Sequence, residues 1–291
     1  MKKKDMSRRR FMVTSIASGT ALAMGLFGGM QMKSNADAEK KISFVTANLV
    51  ARVSGYRFEL ANWGEQHKKT VAATDEAAWR SICREIAAHG FKAIEIWEAH
   101  AAPEVMDRKR GTTWKAIMDD CGLKAIGYGG TLSRKTLEIC QWLDIPQING
   151  WIGENTPGQA TVLCKETGVR FNLENHPQKT AQELLDIVGG GNDMLGICID
   201  TGWLGTQGVS GPEIIRDCGK WVRHTHIKDV KAIGGHQTCL LGEGVARVAD
   251  CIAELKKNGY SGWYSWEDEP EDRNPFDSAV RNRNWIEKQL G

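Results

Sequence analysis

The sequence predicts a single closed α/β barrel, a (β/α)8 TIM barrel, preceded by an N-terminal export signal. Three observations carry this expectation. Beyond residue 38 the chain alternates short β-branched or aromatic runs with amphipathic stretches, and eight such runs can be counted. Residues 39–291 match the roughly 250 residues that an eightfold barrel takes. Four runs in the second half each end on a residue that can bind a metal: Phe171-Asn172-Leu173-Glu174, Ile197-Cys198-Ile199-Asp200, Val222-Arg223-His224-Thr225-His226 and Trp263-Tyr264-Ser265-Trp266-Glu267. A repeating strand–helix unit with one such residue per strand end brings the strand tips to one centre. A doubly wound open sheet would need a Gly-rich phosphate turn after an early strand, and the sequence has none there.

Residues 1–38 read as a twin-arginine export signal. Lys2, Lys3 and Lys4 precede Ser7-Arg8-Arg9-Arg10-Phe11-Met12, and a Gly- and Ala-rich apolar stretch runs from Phe11 to Met32. Ala36-Asp37-Ala38 supplies the small-x-small pattern of a cleavage site, placed after Ala38. Thr14, Ser15, Ser18 and several glycines make the stretch a poor spanning helix, so no stable membrane anchor is expected in the mature form. No cysteine lies near the cleavage site, which argues against a lipoprotein. The expected location is the periplasm or the cell exterior, with the twin-arginine export machinery as the precursor's partner.

Removing this segment changes the charge balance. The formal +2 of the whole chain rests on the basic signal, and what remains is mildly acidic. Such a surface has no electrostatic footprint for nucleic acid. The eight cysteines include no Cys-x-x-Cys pair, and Cys83, Cys140, Cys164, Cys218 and Cys251 fall in expected helices. They read as buried small apolar residues and not as a disulfide framework.

The elements follow in order. Lys41–Asn48 is the first expected strand, and a long segment then runs to Thr74, the expected N-cap of a helix closed by Gly90. Strand two is Lys92–Trp97. A helix over Thr113–Cys121 stops at Gly122 before strand three at Leu123–Tyr128. Ser133 caps a helix to Leu143, and strand four is Ile145–Asn149. A helix from Pro157 ends at Gly168 before strand five at Val169–Glu174. Thr180-Ala181-Gln182-Glu183 is a capping box opening a helix that stops at Gly189. Strand six is Leu195–Asp200, and Pro212 suits the first turn of the helix before strand seven at Val222–Lys228. Val245–Lys257 is strongly amphipathic, and strand eight is Gly262–Glu267.

Strand alternation sorts the faces. Asn172, Glu174 and His176 share one face of strand five, opposite Phe171 and Leu173. Cys198 and Asp200 share one face of strand six, opposite Ile197 and Ile199. His224, His226 and Lys228 fall together, as do Ser265 and Glu267. All four candidate ligands therefore lie opposite the bulky apolar residues that would pack under helices.

At these residues the chain resembles the xylose isomerase-like barrel family, which includes sugar-phosphate isomerases, ketose 3-epimerases and inosose dehydratases. The matching elements are Leu173-Glu174-Asn175-His176-Pro177, Asp200-Thr201-Gly202, His226-Ile227-Lys228-Asp229, Leu241-Gly242-Glu243-Gly244 and Ser265-Trp266-Glu267. The resemblance implies that Glu174, Asp200, His226 and Glu267 bind one divalent cation. Three carboxylates and one imidazole suit Mn²⁺ or Mg²⁺, with Co²⁺ or Zn²⁺ able to substitute. It also implies that Glu174 and Glu267 are the catalytic acid/base pair. Many members carry His after Asp-Thr-Gly where this chain has Trp203, which can stack on a sugar but cannot take a proton.

The remaining candidates are substrate contacts. His176 would orient a ligand or touch substrate. Lys228 would bind a hydroxylate or carboxylate, or else neutralise a carboxylate-rich cavity. Asn48 and Trp151 lie at or past strand ends one and four. Glu95 and Glu98 have opposite parity, so at most one faces the barrel mouth. His224, one pleat deeper than His226, reads as a core or supporting residue. Eleven tryptophans, with Trp63, Trp97, Trp151 and Trp203 near strand tips or in the first loop, fit sugar stacking as well as ordinary packing. Leu49–Ala73 is long for a barrel connection and is expected to cover the site.

The expected function is a metal-dependent sugar isomerase or epimerase that abstracts a proton next to a carbonyl, giving an enediolate. The alternative is a lyase or hydrolase that drives an elimination from an oxidised (keto) glycoside or an inosose by the same carbanion. A non-catalytic carbohydrate-binding barrel is a third reading. An endonuclease-IV-like phosphodiesterase would need a His-rich trinuclear site and a basic groove, which the sequence does not supply. In each of the first three the partner is a small carbohydrate, and a homo-oligomer is compatible with the composition.

Overall fold

Inward polar and outward apolar residues alternate along the strands, and that pattern closes the sheet. The computed structural model describes residues 40–291; the expected export signal lies outside the described residues. The strands are β1 (Ile42–Val45), β2 (Ala93–Trp97), β3 (Lys124–Thr131), β4 (Gln147–Trp151), β5 (Arg170–Glu174), β6 (Leu195–Asp200), β7 (Val222–Ile227) and β8 (Tyr264–Trp266). They form a closed parallel barrel in sequence order, with β8 paired back to β1. The helices are α1 (Trp63–Ala73), α2 (Glu76–Ala88), α3 (Arg108–Asp120), α4 (Arg134–Leu143), α5 (Pro157–Thr167), α6 (Ala181–Ile187), α7 (Thr201–Gln207), α8 (Gly211–Cys218), α9 (Val248–Lys257) and α10 (Phe276–Leu290). The expected (β/α)8 architecture is the observed one.

The core between sheet and helices is apolar. Phe44, Ile94, Tyr128, Ile148, Phe171 and Ile197 point outward from their strands and are fully covered. Phe44 packs edge-on against both Phe91 and Trp266, with ring centroids 5.4 Å apart in each pair. Burying such side chains contributes roughly 25 cal/mol per Å² of apolar surface, which makes this layer the main source of stability.

Inside the barrel the usual branched apolar filling gives way to a closed polar ring. Gln147 Nε2 meets His224 Nδ1 at 2.9 Å, and His224 Nε2 meets Glu95 Oε2 at 2.5 Å. Asn149 donates to Glu95 Oε1 at 2.9 Å, and Asn172 donates to Asn149 and Gln147 at 2.8 and 3.1 Å. Ser265 joins at His224 Nε2 and is itself 2.6 Å from Ser43. Gly127 makes this ring sterically feasible: a Cβ there would lie 2.7 Å from Asn149 Nδ2 and 3.1 Å from Glu95 Cδ. Buried polar groups cost least when every partner is supplied, and this ring supplies nearly all of them.

Several boundaries differ from the expected ones. Asp75, not Thr74, caps α2 by accepting from Ala78 N at 2.8 Å, while Thr74 donates to Thr70 O one turn back in α1. Asp107 caps α3, which starts earlier than Thr113 because a polar first turn carries no apolar period. The Ser133 and Thr180 caps are observed, each as a capping box. The segment expected to be a covering loop contains α1. Helix α7 has no counterpart in the pattern because Gly202 and Gly205 depress its propensity. All eight cysteines are unpaired, and Cys83, Cys140, Cys164, Cys198, Cys218 and Cys251 are buried. No helix among the described residues is long and apolar enough to cross a membrane.

Candidate metal centre

Glu174, Asp200, His226 and Glu267 come together at the C-terminal ends of β5, β6, β7 and β8. One ligand atom from each lies within 4.8 Å of those of the other three. Neighbouring strands run about 4.8 Å apart, so four consecutive strand tips are spaced to share one ion. Donors at such separations fit bonds of about 2.0–2.4 Å to a common centre.

The chain orients each donor. Asp200 Oδ1 accepts from Gly202 N at 2.7 Å and Trp203 N at 3.1 Å, capping α7 and aiming Oδ2 into the cluster. Glu95 Oε1 holds His226 Nε2 at 3.0 Å. That contact turns His226 Nδ1 toward Glu174 Oε1 at 2.7 Å and Glu267 Oε2 at 3.5 Å. A carboxylate behind a ligating imidazole fixes its tautomer and raises its basicity. Asp229 anchors the following loop by accepting from Val230 and Ala246 at Oδ1 and from Gly242 and Gly244 at Oδ2, at 2.9–3.1 Å. A Cβ on Gly244 would lie 2.3 Å from Asp229 Oδ1, which explains why Leu241-Gly242-Glu243-Gly244 accompanies the His226 motif.

The electrostatics call for added positive charge. Burial and the neighbouring Glu269 and Asp200 carboxylates push Glu267 well above the usual carboxylate range, despite His226 and Lys228. Burial would also raise Glu174, but His226 and His176 outweigh it and bring it down to about 2. Burial would raise Glu95, yet the imidazoles of His224 and His226 hold it well below the usual range. Three crowded carboxylates and an oriented imidazole fit a divalent cation. A second grouping, Cys198, His224 and His226, fits poorly. Its His224 ring already meets Gln147, Glu95 and Ser265, and burial pushes the Cys198 thiol up.

The other candidates divide. His176, Trp203 and Trp151 line the 410 Å³ cavity in front of the cluster, together with Trp63 and Trp97. His176 Nε2 lies 3.9 Å from Glu174 Oε2 and its ring packs edge-on to Trp203 at 5.1 Å. Lys228 does not line that cavity. Its ammonium lies 3.5 Å from Asp200 and 3.4 Å from Glu267 and bonds Glu269, so it neutralises carboxylates. Asn48 is also no substrate contact. It is fully buried, donates to Trp266 O and accepts from Asp268 N at 2.6 Å, tying down the loop after β8. Of the two glutamates of opposite parity, Glu95 faces inward, while Glu98 accepts from Thr131 N at 3.0 Å on the rim. The inward glycines Gly127 and Gly129 on β3 are the sequence signal that marks room for Glu95. Glu269 is a further cavity residue, held at φ +49°.

The xylose isomerase-like TIM barrel profile matches residues 83–289, and the chain belongs to that family. An inosose dehydratase of Bacillus thuringiensis (strain Al Hakam) is 24% identical over 153 residues, 44% of this chain and 51% of that protein. The chain thus spans about half the length of the curated relative it matches. A solved L-ribulose 3-epimerase superposes with a TM-score of 0.64 at 15% identity, covering 86% of this chain and 94% of that one. The IOLI protein solved with a bound zinc atom gives 0.60 at 16%, covering 86% and 98%. At these identities the structural likeness shows the shared fold.

Proposed function

We propose that the protein is a divalent-metal-dependent carbohydrate isomerase or epimerase that moves a proton on a carbon next to a carbonyl. The observation that carries this is the placement of Glu174 and Glu267. Both belong to the four-ligand cluster, both line the cavity, and they stand at the two ends of the ligand arc, on β5 and just past β8. A divalent cation held there, Mn²⁺ or Mg²⁺ by the oxygen-rich donor set, supplies stabilisation of the negative charge that develops on the carbonyl oxygen. Glu174 takes the proton, and Glu267 returns one from the other end of the arc. Glu95 keeps His226 in its ligating orientation, Trp203 offers a stacking surface, and the aromatic wall excludes water. Family membership and the epimerase among the structural neighbours support this reading.

A second reading, a lyase, is favoured by the inosose dehydratase relative. The same proton removal with a leaving group on the adjacent carbon ends in elimination. One experiment tests both. The Mn²⁺-loaded protein is given ketoses, 3-keto glycosides and inososes in D₂O, and deuterium entry beside the carbonyl is followed. Exchange with inversion or carbonyl migration supports the first reading, and loss of water or an aglycone, with or without exchange, supports the second. Absence of both exchange and elimination with every bound sugar overturns both in favour of a binding protein.

We also propose that the protein is exported by the twin-arginine route, is cleaved after Ala38 and works in the periplasm or outside the cell. The order of basic, apolar and small-x-small segments supports this. Replacing Arg8 and Arg9 by lysine should retain an uncleaved precursor in the cytoplasm; unchanged export would exclude the route.

A further inference from the structure

The cavity in front of the ligand cluster is chemically lopsided. Its charged residues include Glu174, Glu267 and Glu269, and among the described residues no arginine or lysine lines it. The Lys228 ammonium nearby is engaged by Asp200, Glu267 and Glu269. Phosphate and carboxylate groups are read by guanidinium or ammonium donors, and in this cavity they would meet carboxylates. The geometry therefore selects for an uncharged ligand.

The rest of the wall is aromatic, aliphatic (Val45, Ala47 and Leu60) or glycine backbone, with Thr131 the one hydroxyl among the described lining residues. Trp63 and Trp97 lie 5.1 Å apart, with Phe58 behind Trp63 at 6.0 Å and His67 beside Trp97 at 5.5 Å. Trp203 is wedged between His176 and His236, at 5.1 and 4.7 Å. Among the described residues no aromatic ring braces Trp151 in this way. This residue ends β4 on the cavity rim and is 51% exposed. The β3–β4 strip leading to it is glycine. A Cβ on Gly150 would lie 2.3 Å from Gly130 O, and one on Gly130 would lie 2.3 Å from Glu98 Oε2. A 410 Å³ cavity falls within the range of about 300–1,000 Å³ typical of small-molecule sites. Its polar end and its open indole sit on different strands of one continuous pocket.

We propose that the substrate is an uncharged, oxidised (keto) glycoside, with its sugar at the ligand cluster and the apolar face of its aglycone stacked on Trp151, so that simple pyranosides serve as unreactive analogues of it. The sugar end rests on the carbohydrate reading above; the charge and the aglycone do not. The test is calorimetric titration of the full-length protein, Mn²⁺-loaded and EDTA-treated. The ligands are paired phenyl and methyl pyranosides of gluco, galacto, manno and xylo configuration, in both anomers. At least one phenyl glycoside should bind ten times more tightly than its methyl partner. Trp151→Ala should bring that ratio to within twofold, and Trp151→Phe should preserve it. Glucose 6-phosphate should bind no more tightly than glucose.

The proposal is overturned if no phenyl member outbinds its methyl partner tenfold, if the ratio survives Trp151→Ala, or if the phosphate strengthens binding. Cellobiose or maltose matching the phenyl compounds would identify the aglycone as a second sugar; weaker binding would identify it as an aromatic ring. Because the readout is affinity, a failure of deuterium exchange leaves the ratio interpretable, and the two readings fail separately.

Discussion

The barrel rim has two unlike halves. Strands β5–β8 carry the charge: Glu174, Asp200, His226 and Glu267, with Lys228 beside Asp200 and Glu267. Strands β1–β4 and the segments after them carry shape: Trp63, Trp97, Trp151 and the glycines of β3 and β4. The difference follows from sheet geometry. An ion needs donors a few ångströms apart, which only adjacent strand tips provide, so the ligands occupy one contiguous arc. The opposite arc is left free to present surfaces. Glu95 crosses the division, because it reaches from β2 across the interior to His224 and His226 on β7.

The charged arc can lose its chemistry while keeping its shape. Glu174→Gln should lower turnover by about 10²–10⁴-fold, the usual worth of a positioned acid or base, with the thermal transition largely unchanged. Turnover assays with a substrate found by deuterium exchange check this. Undiminished turnover would remove Glu174 from the mechanism.

Glu95→Ala probes the link between the halves. It strips His224 and His226 of a buried carboxylate and leaves the Asn149 amide without its acceptor. Breaking a buried charged pair costs about 3–5 kcal/mol, and loss of the carboxylate behind a metal-bound histidine typically weakens metal affinity about 10–100-fold. Urea unfolding and chelator competition would measure the two effects. A variant that keeps both values would show that the interior ring merely fills space.

On the aromatic arc the expected effect is smaller. Gly150 has φ +148°, and an added Cβ would press on the Gly130 carbonyl. Gly150→Ala should therefore cost about 1–3 kcal/mol, measured by denaturant unfolding, and should leave metal affinity within twofold. A matching loss of metal affinity would show that the two arcs are mechanically coupled.

The charged arc was the more legible half. Period-two alternation placed Glu174, Asp200, His226 and Glu267 inward from the residue order alone, because a strand obeys that period wherever one face is buried. Asn48 escaped the same logic. Its partners, Trp266 O and Asp268 N, lie more than two hundred residues away, and only the β1–β8 closure brings them together. Lys228 was ambiguous because its role depends on Glu269, which reaches it from a loop at left-handed φ that no strand periodicity describes. Glu95 and Glu98 could not be separated because parity requires a register, and the β2–β3 register itself shifts between Ile94 and Glu95.

Two histidines give the smallest and most discriminating contrast. Burial lowers His226, but Cys198 and the carboxylates of Glu267, Glu95 and Glu174 outweigh it and raise the ring well above its ordinary value. His100, in the turn after β2, has no carboxylate partner among the described residues. Its Nδ1 meets Thr46 Oγ1 at 3.0 Å, and burial, helped by Arg52 and His67, pulls its pKa down to about 3. The unfolded chain then takes up a proton near pH 6.5 that the folded chain refuses. His100 thus contributes stability above pH 6.5 that is lost progressively as the pH falls toward 3. The slope is on the order of 1 kcal/mol per pH unit for one such group. Urea unfolding of His100→Gln between pH 6 and pH 4 should show a shallower loss of stability than the parent, by about that amount. Parallel slopes would mean that the aromatic arc admits a proton, and with it water, at His100.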